Sequence, residues 1–319
     1  MQLQFLGTGA GVPSKFRNMA STALKLLDEL NEVWLFDAGE GAQLQILKTN
    51  LRPRKIKKIF ITHLHSDHLL GLVGLLGSRS FQEGTDPVDI YGPKGVREYV
   101  QTSMRITRST LTYQINYHEF EASDFDVKKL TPLKIIDDKK FTVYALPLDH
   151  TVFSVGYRVV EHDHEPELLI EKVRAAQIPE GPVYAQLKRG ETVTLEDGRT
   201  FDGHEFIGAA KKGKIVTILG DTRQAAASVV LAQDADVLVH EATYQDSEVE
   251  RKKARNHGHS TGVQAAEVAL QARAKTLLLT HFSARYFKKD IDQIGEDARR
   301  TFPNAFVMQD LEEFEIDDK

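Results

Sequence analysis

Short runs of β-branched and apolar residues alternate with stretches in which apolar positions recur every three or four residues, through most of the chain. That alternation predicts an α/β architecture. Strands are expected at 2–6, 22–27, 33–37, 56–63, 141–148, 215–219, 236–240 and 276–281. Helices are expected after Gly39, after His68, and at 95–104, 223–233, 261–272 and 291–300. The helix at 261–272 is the best marked, with Ser260 or Thr261 as cap and Val263, Ala266, Val268 and Leu270 spaced among polar residues.

The rhythm breaks between 161 and 205. That segment is polar, carries Pro166, Pro179 and Pro182, and contains the turn signals GETV and EDGR. It is either a long surface loop with a hairpin or a functional arm. We expect the arm, because long insertions in compact domains are usually functional or disordered. The division is then one catalytic α/β domain from 1–160 and 206–319, with 161–205 as an inserted flexible arm.

Composition narrows the chemistry. The 319 residues include no cysteine, which removes disulfides, thiol nucleophiles and cysteine metal sites. Any metal must be held by His, Asp or Glu. The net charge of −5 disfavours a polyanionic partner at first sight, but the last ten residues, DLEEFEIDDK, carry six acids and one Lys. Without that tail acids and bases balance, so charge has to be read in local clusters. The amino terminus looks like no leader, and the longest apolar run, 69–77, is under half a membrane span. A cytoplasmic protein with no membrane partner is expected.

Several expected strands end alike. KIFITH ends in His63, YALPLDH in His150, IVTILGD in Asp221, VLVHEA in His240-Glu241 and LLLTH in His281. The carboxyl ends of strands are where α/β folds place their sites. The densest signal is His63-Leu64-His65-Ser66-Asp67-His68. His63 and His65 can face one centre, while Asp67 and His68, in the turn that follows, face a second. Imidazole and carboxylate are proper zinc ligands. His150, Asp221 and His281 then complete two sites: His63, His65 and His150 for one ion, Asp67, His68 and His281 for the other, with Asp221 bridging. Paired ions activate water and stabilise both the attacking and the leaving oxygens of an in-line displacement. Two divalent ions against Asp67, Asp221 and one hydroxide leave a positive centre, which suits a phosphodiester.

With these residues in view, the chain resembles the metallo-β-lactamase fold and, within it, the ribonuclease Z family. The His-x-His-x-Asp-His motif is shared by many hydrolases of that fold. More specific are FLGTGAGVPSKFRN with its Pro-x-Lys-x-Arg-Asn loop from Pro13 to Asn18, HEAT at 240–243, HST at 259–261, THFSARY around His281, and GPVYAQLKRG inside the insertion. The resemblance implies an αββα sandwich, two zinc ions per chain with Mn²⁺ or other divalent ions as substitutes, and a homodimer. It implies cleavage of precursor tRNA 3′ of the discriminator nucleotide, which leaves a 3′-hydroxyl on the tRNA and a 5′-phosphate on the trailer. DNA is not expected as a partner. Asp67 would accept a proton as well as bind metal. Substrate contacts are implied for Lys15 and Arg17 in the amino-terminal loop and for Gly181, Pro182, Tyr184, Lys188 and Arg189 at the arm's tip. A hydrolase of small esters, thioesters or cyclic nucleotides is the alternative, and it leaves the arm and basic loops unexplained.

The remaining candidates follow. His259 can protonate the departing ribose oxygen with Glu241 orienting it, since a carboxylate-held histidine is a usual general acid. His240 is expected to support the centre without binding metal. Gly7-Thr8-Gly9-Ala10-Gly11 reads as a tight turn passing close to the centre, because no helix follows it as in a dinucleotide loop. His162 and His164 imitate a metal pair but lack a third partner; His118, His204 and His257 carry no signal. Basic residues cluster at 48–58, at 251–255 and at the arm's tip, as phosphate-positioning clusters would.

Overall fold

The computed structural model describes residues 1–164 and 166–316; residue 165 of the arm and the last three residues of the acidic tail lie outside them. Among the described residues, two seven-stranded sheets carry the fold. The first runs Glu313–Glu315, Gln2–Gly7, Ser21–Leu26, Glu32–Phe36, Ile56–Phe60, Val88–Pro93, Ile115–Phe120. It is antiparallel as far as Glu32–Phe36 and parallel beyond. The second runs Ala305–Val307, Thr276–Thr280, Val237–Glu241, Ile215–Ile218, Ser154–Glu161, Phe141–Leu148, Leu133–Asp137. Its first four strands are parallel, and Ser154–Glu161 turns antiparallel to Ile215–Ile218.

Strand alternation builds the layers. Leu3, Phe5, Trp34 and Phe36 join Val143, Tyr157, Val237 and Val239 of the other sheet in one core between the sheets. Trp34 lies 5.3 Å from Phe141 and Phe60 lies 5.2 Å from Tyr157, centroid to centroid. The intervening residues point outward: Val33 and Leu35 pack with Leu72, Leu75 and Val100 of the helices Leu72–Phe81 and Val96–Thr107. On the second sheet Leu238, Leu277 and Leu279 meet Ala266, Val268 and Ile294 of the helices Gly262–Gln271 and Lys288–Thr301. The result is the expected αββα sandwich.

Glu161–Lys214 is a separate compact unit. It contains the helices Ile170–Ala175 and Pro182–Lys188 and a hairpin pairing Val193–Thr194 with Thr200–Phe201. Val173, Ile178, Leu187, Val193 and Phe206 form its own small core. A loop with a hairpin is therefore too plain a description of it.

Other differences have physical causes. The strands Val88–Pro93 and Ile115–Phe120 and the helix Glu248–His257 are not evident from the pattern. The first carries a glycine and a proline, the second has no apolar alternation, and the helix is polar on nearly every side. The described part of the acidic tail, as far as Ile316, is built in. Glu313–Glu315 pairs with Gln2–Gln4 as an edge strand, Glu313 meets Lys25 at 2.9 Å, and Asp310 accepts bonds from Thr8 N and Asn18 N. No helix among the described residues is long and apolar enough to cross a membrane.

Candidate metal centre

Strand ends from both sheets deliver the functional side chains. The strand Ile56–Phe60 runs out into 61–65, where His63 is buried, and the short helix Ser66–Leu69 turns Asp67 and His68 inward. His150 follows Phe141–Leu148, Asp221 follows Ile215–Ile218, and His281 follows Thr276–Thr280 in a left-handed conformation (φ 60°). The glycine turn passes beside them, with Gly11 N donating to Asp67 Oδ2 at 2.6 Å. At Gly39 a Cβ would lie 2.2 Å from the Asp67 carbonyl oxygen, so glycine alone permits that approach.

Among the described residues three sets of donors have ligand atoms within 4.8 Å of one another: His63, His65, His150 and Asp221; Asp67, His68 and His281; and Asp221, His259 and His281. The first two are the donor groups expected from the sequence, and the third shares its members with them apart from His259. Asp221 lies between the first two. Its Oδ2 is 3.7 Å from His63 Nε2, and its Oδ1 is 3.5 Å from His68 Nε2 and 3.3 Å from His281 Nε2.

The donor chemistry fits a cation. His68 Nδ1 donates to Asp37 Oδ2 at 2.7 Å and His150 Nδ1 donates to the Gly258 carbonyl at 2.7 Å. A carboxylate and a carbonyl only accept, so in neutral rings the protons sit there and the Nε2 lone pairs point inward. His150 Nε2 approaches His65 Nδ1 at 3.2 Å, His65 Nδ1 approaches His63 Nε2 at 3.0 Å, and His68 Nε2 approaches His281 Nε2 at 3.1 Å. Without a cation, one ring of each pair would carry a proton between the two nitrogens, and against burial Asp221 and Asp37 do raise the His68 imidazole well above its usual value; a bound cation would take the place of such protons. Buried imidazoles and carboxylates in this arrangement form a metal site. Burial opposes charge on Asp67, but His281 and His68 outweigh it and hold its carboxyl well below the usual range. Asp221 behaves alike under His281 and His68. Burial pushes the His63 and His150 imidazoles down, toward the neutral, ligating form.

Beside these donors stands a second device. His259 Nδ1 donates to Glu241 Oε1 at 2.9 Å, and burial of His259 is overcome by Glu241, which raises its imidazole to about 9. Glu241 also accepts from Thr222 N, Thr243 N and Thr243 Oγ1, at 3.2, 3.1 and 2.6 Å. His240 joins no donor group among the described residues. Alternation along Val237–Glu241 puts it on the Leu238 side, toward the helices, where its Nδ1 bonds to Glu241 O and its Nε2 has no hydrogen-bond partner among the described residues. His164 Nε2 pairs with Glu161 at 3.1 Å, and neither it nor His162 joins a donor group among the described residues.

The substrate candidates lie in different settings. Lys15 is exposed beside the Phe16 ring. Arg17 turns inward, bonding Thr8 Oγ1 and the Met308 carbonyl and covering the Phe282 ring. In the arm, Gly181 and Pro182 start the helix Pro182–Lys188, Tyr184 OH donates to Ile178 O, and Arg189 grips Glu191 at 2.6 Å. Sequence reading passed over Asp37, which holds His68 and binds Thr62 through both oxygens. The signal was present, a carboxylate at a strand end in VWLFDAG.

The chain is 54% identical to ribonuclease Z from Streptococcus pneumoniae over 318 residues, covering 99% of this chain and 100% of the relative. Among solved structures, human short-form tRNase Z matches at 32% identity with a TM-score of 0.72, covering all of both chains. The metallo-β-lactamase fold protein YhfI from Bacillus subtilis matches at 16% identity and 0.64, covering 98% of each. Residues 1–163 match the family model described as Anti-Pycsar protein Apyc1.

Proposed function

The chain belongs to the ribonuclease Z family, and from that premise we propose that it cleaves precursor tRNA on the 3′ side of the discriminator nucleotide, leaving a 3′-hydroxyl on the tRNA and a 5′-phosphate on the trailer. The observation that carries this reading is the largely buried histidine–aspartate centre, in which Asp221 lies between two donor groups, 3.7 Å from His63 and 3.3 Å from His281. Two zinc ions, replaceable by manganese, would bind there through His63, His65 and His150 and through Asp67, His68 and His281, and would supply an activated water and charge neutralisation at the phosphate. Asp221, which lies between the two donor groups, would help hold both ions. Asp67 accepts the proton of the attacking water. His259, kept protonated by Glu241, gives its proton to the departing ribose O3′.

Lys15 and the arm's tip, Gly181, Pro182, Tyr184, Lys188 and Arg189, contact the tRNA body in this reading, while Arg17 holds the loop that presents Lys15. In this reading the protein acts in the cytoplasm as a homodimer; sedimentation of a monomer would overturn the dimer. The second reading is a phosphodiesterase or ester hydrolase of small substrates, and residues 1–163 match the family model described as Anti-Pycsar protein Apyc1. That match ends before Asp221, Glu241, His259 and His281, whereas the ribonuclease Z relatives span the chain. The test is to incubate the protein and zinc with a precursor tRNA and map the new ends. One cut after the discriminator is expected; an intact precursor overturns the assignment.

A further inference from the structure

The metal centre contains two buried threonine hydroxyls that no role assigned so far accounts for. Thr243 Oγ1 donates to Glu241 Oε2 at 2.6 Å and lies 2.9 Å from His281 Nδ1. Thr62 Oγ1 donates to Asp37 Oδ2 at 2.8 Å and lies 3.0 Å from His63 Nδ1. Both threonines and both carboxylates are buried. A hydroxyl has one proton, and a carboxylate can only accept it. Once that proton is given away, the oxygen turns a lone pair to the ring, and the ring must answer with Nδ1–H. The unprotonated nitrogen is then Nε2, which in both rings faces the donor group.

The same two carboxylates each hold a further histidine directly: Asp37 holds His68, and Glu241 holds His259. We propose that Thr243 and Thr62 are positioning residues, which relay the preference of one buried carboxylate into the tautomer of a second histidine and so ready His281 and His63 to bind a cation. Each donor group thereby has one threonine–carboxylate pair behind it. Thr243 also sits 3.4 Å from His259 Nδ1, so Glu241 orients the proton donor and a metal-binding ring together. This rests on the metal-centre part of the ribonuclease Z reading.

The test uses the full chain and zinc alone. Zinc affinity is measured by competition with a chromophoric chelator for wild type, Thr243→Val and Thr243→Ser, and the zinc-free proteins are melted in parallel. Valine keeps the shape and removes the hydroxyl; serine restores it. Expected is a loss of roughly 10–100-fold in zinc affinity for valine, as for other partners that orient metal ligands, with serine near wild type. In the zinc-free wild type, ¹⁵N spectra should find His281 protonated at Nδ1, and Thr243→Val should lose that preference. Wild-type zinc affinity in the valine variant, or serine as weak as valine, overturns the proposal. If Thr243→Val does not fold, Thr62→Val against Thr62→Ser gives the same readout at the other donor group. A wild type that binds zinc yet leaves precursor tRNA intact would instead sink the substrate assignment and leave this relay standing.

Discussion

A histidine that is to protonate a ribose oxygen must still carry its proton at the working pH, and Glu241 secures this for His259. With its imidazole raised to about 9, His259 is protonated through the neutral range and loses its proton as pH rises through about 9. Cleavage of precursor tRNA should therefore fall on the alkaline side, and Glu241→Gln should shift that limb down by about 1–3 pH units by removing the adjacent negative charge. An alkaline limb that stays in place in kcat–pH profiles of the variant would assign it to another group. His259→Ala should reduce tRNA cleavage by roughly 10²–10⁴-fold. Hydrolysis of bis-nitrophenyl phosphate should be nearly spared, because nitrophenolate leaves without a proton. Equal damage to both substrates would make His259 a support of the metal centre.

At the scale of elements, the arm is open to clean removal. Ser154–Glu161 and Ile215–Ile218 pair antiparallel with Val160 opposite Ile215, so the chain leaves and re-enters the sandwich at neighbouring positions. A two-residue turn can bridge such a pair. Replacing 161–214 by Asn-Gly should leave bis-nitrophenyl phosphate hydrolysis intact and raise KM for precursor tRNA, as loss of remote binding contacts does. Unchanged tRNA kinetics would reduce the arm to an ornament. Within the arm, Leu187 lies in a core of five buried side chains. Leu187→Ala should cost about 2–5 kcal/mol there and unfold a unit this small, reproducing the deletion's KM effect without changing chain length.

Across the whole molecule, the donors of the centre come from opposite sheets: His63, His65, Asp67 and His68 follow a strand of the first, and His150, Asp221 and His281 follow strands of the second. Bound ions would tie the two sheets together at one edge. Free zinc at 100 times its Kd should therefore add about 2.7 kcal/mol to stability by mass action, seen as a rise in Tm. Asp221→Ala, which removes the carboxylate lying between the two donor groups, should bind fewer than two ions per chain and lose most of that rise. Two tightly held ions in this variant, found by metal analysis, would show that the carboxylate does not bridge.

Local patterns determined much of this by themselves. The apolar strands, the capped helix Gly262–Gln271, and the packing of His63, His65, Asp67 and His68 into six residues are legible because each is specified by neighbours in the chain. Asp221 and His281 are legible because parallel strands bring their carboxyl ends to one edge, and His150 because its apolar strand ends in the same way. Tertiary structure decided what depends on distant partners. The basic run 48–58 reads as a bare cationic face, yet Lys57 meets Asp86, Lys58 meets Glu32 and Arg54 meets Glu83. Arg17 reads as a phosphate contact until Thr8, Met308 and Phe282 are seen around it. His240 and Glu241 are adjacent in sequence, but a strand's two-residue period sends one toward the helices and the other to the centre. Thr62 and Thr243 show the same limit. A hydroxyl acquires direction only from the carboxylate and imidazole on either side of it, and folding alone brings Asp37 beside His68 and Thr243 beside His281.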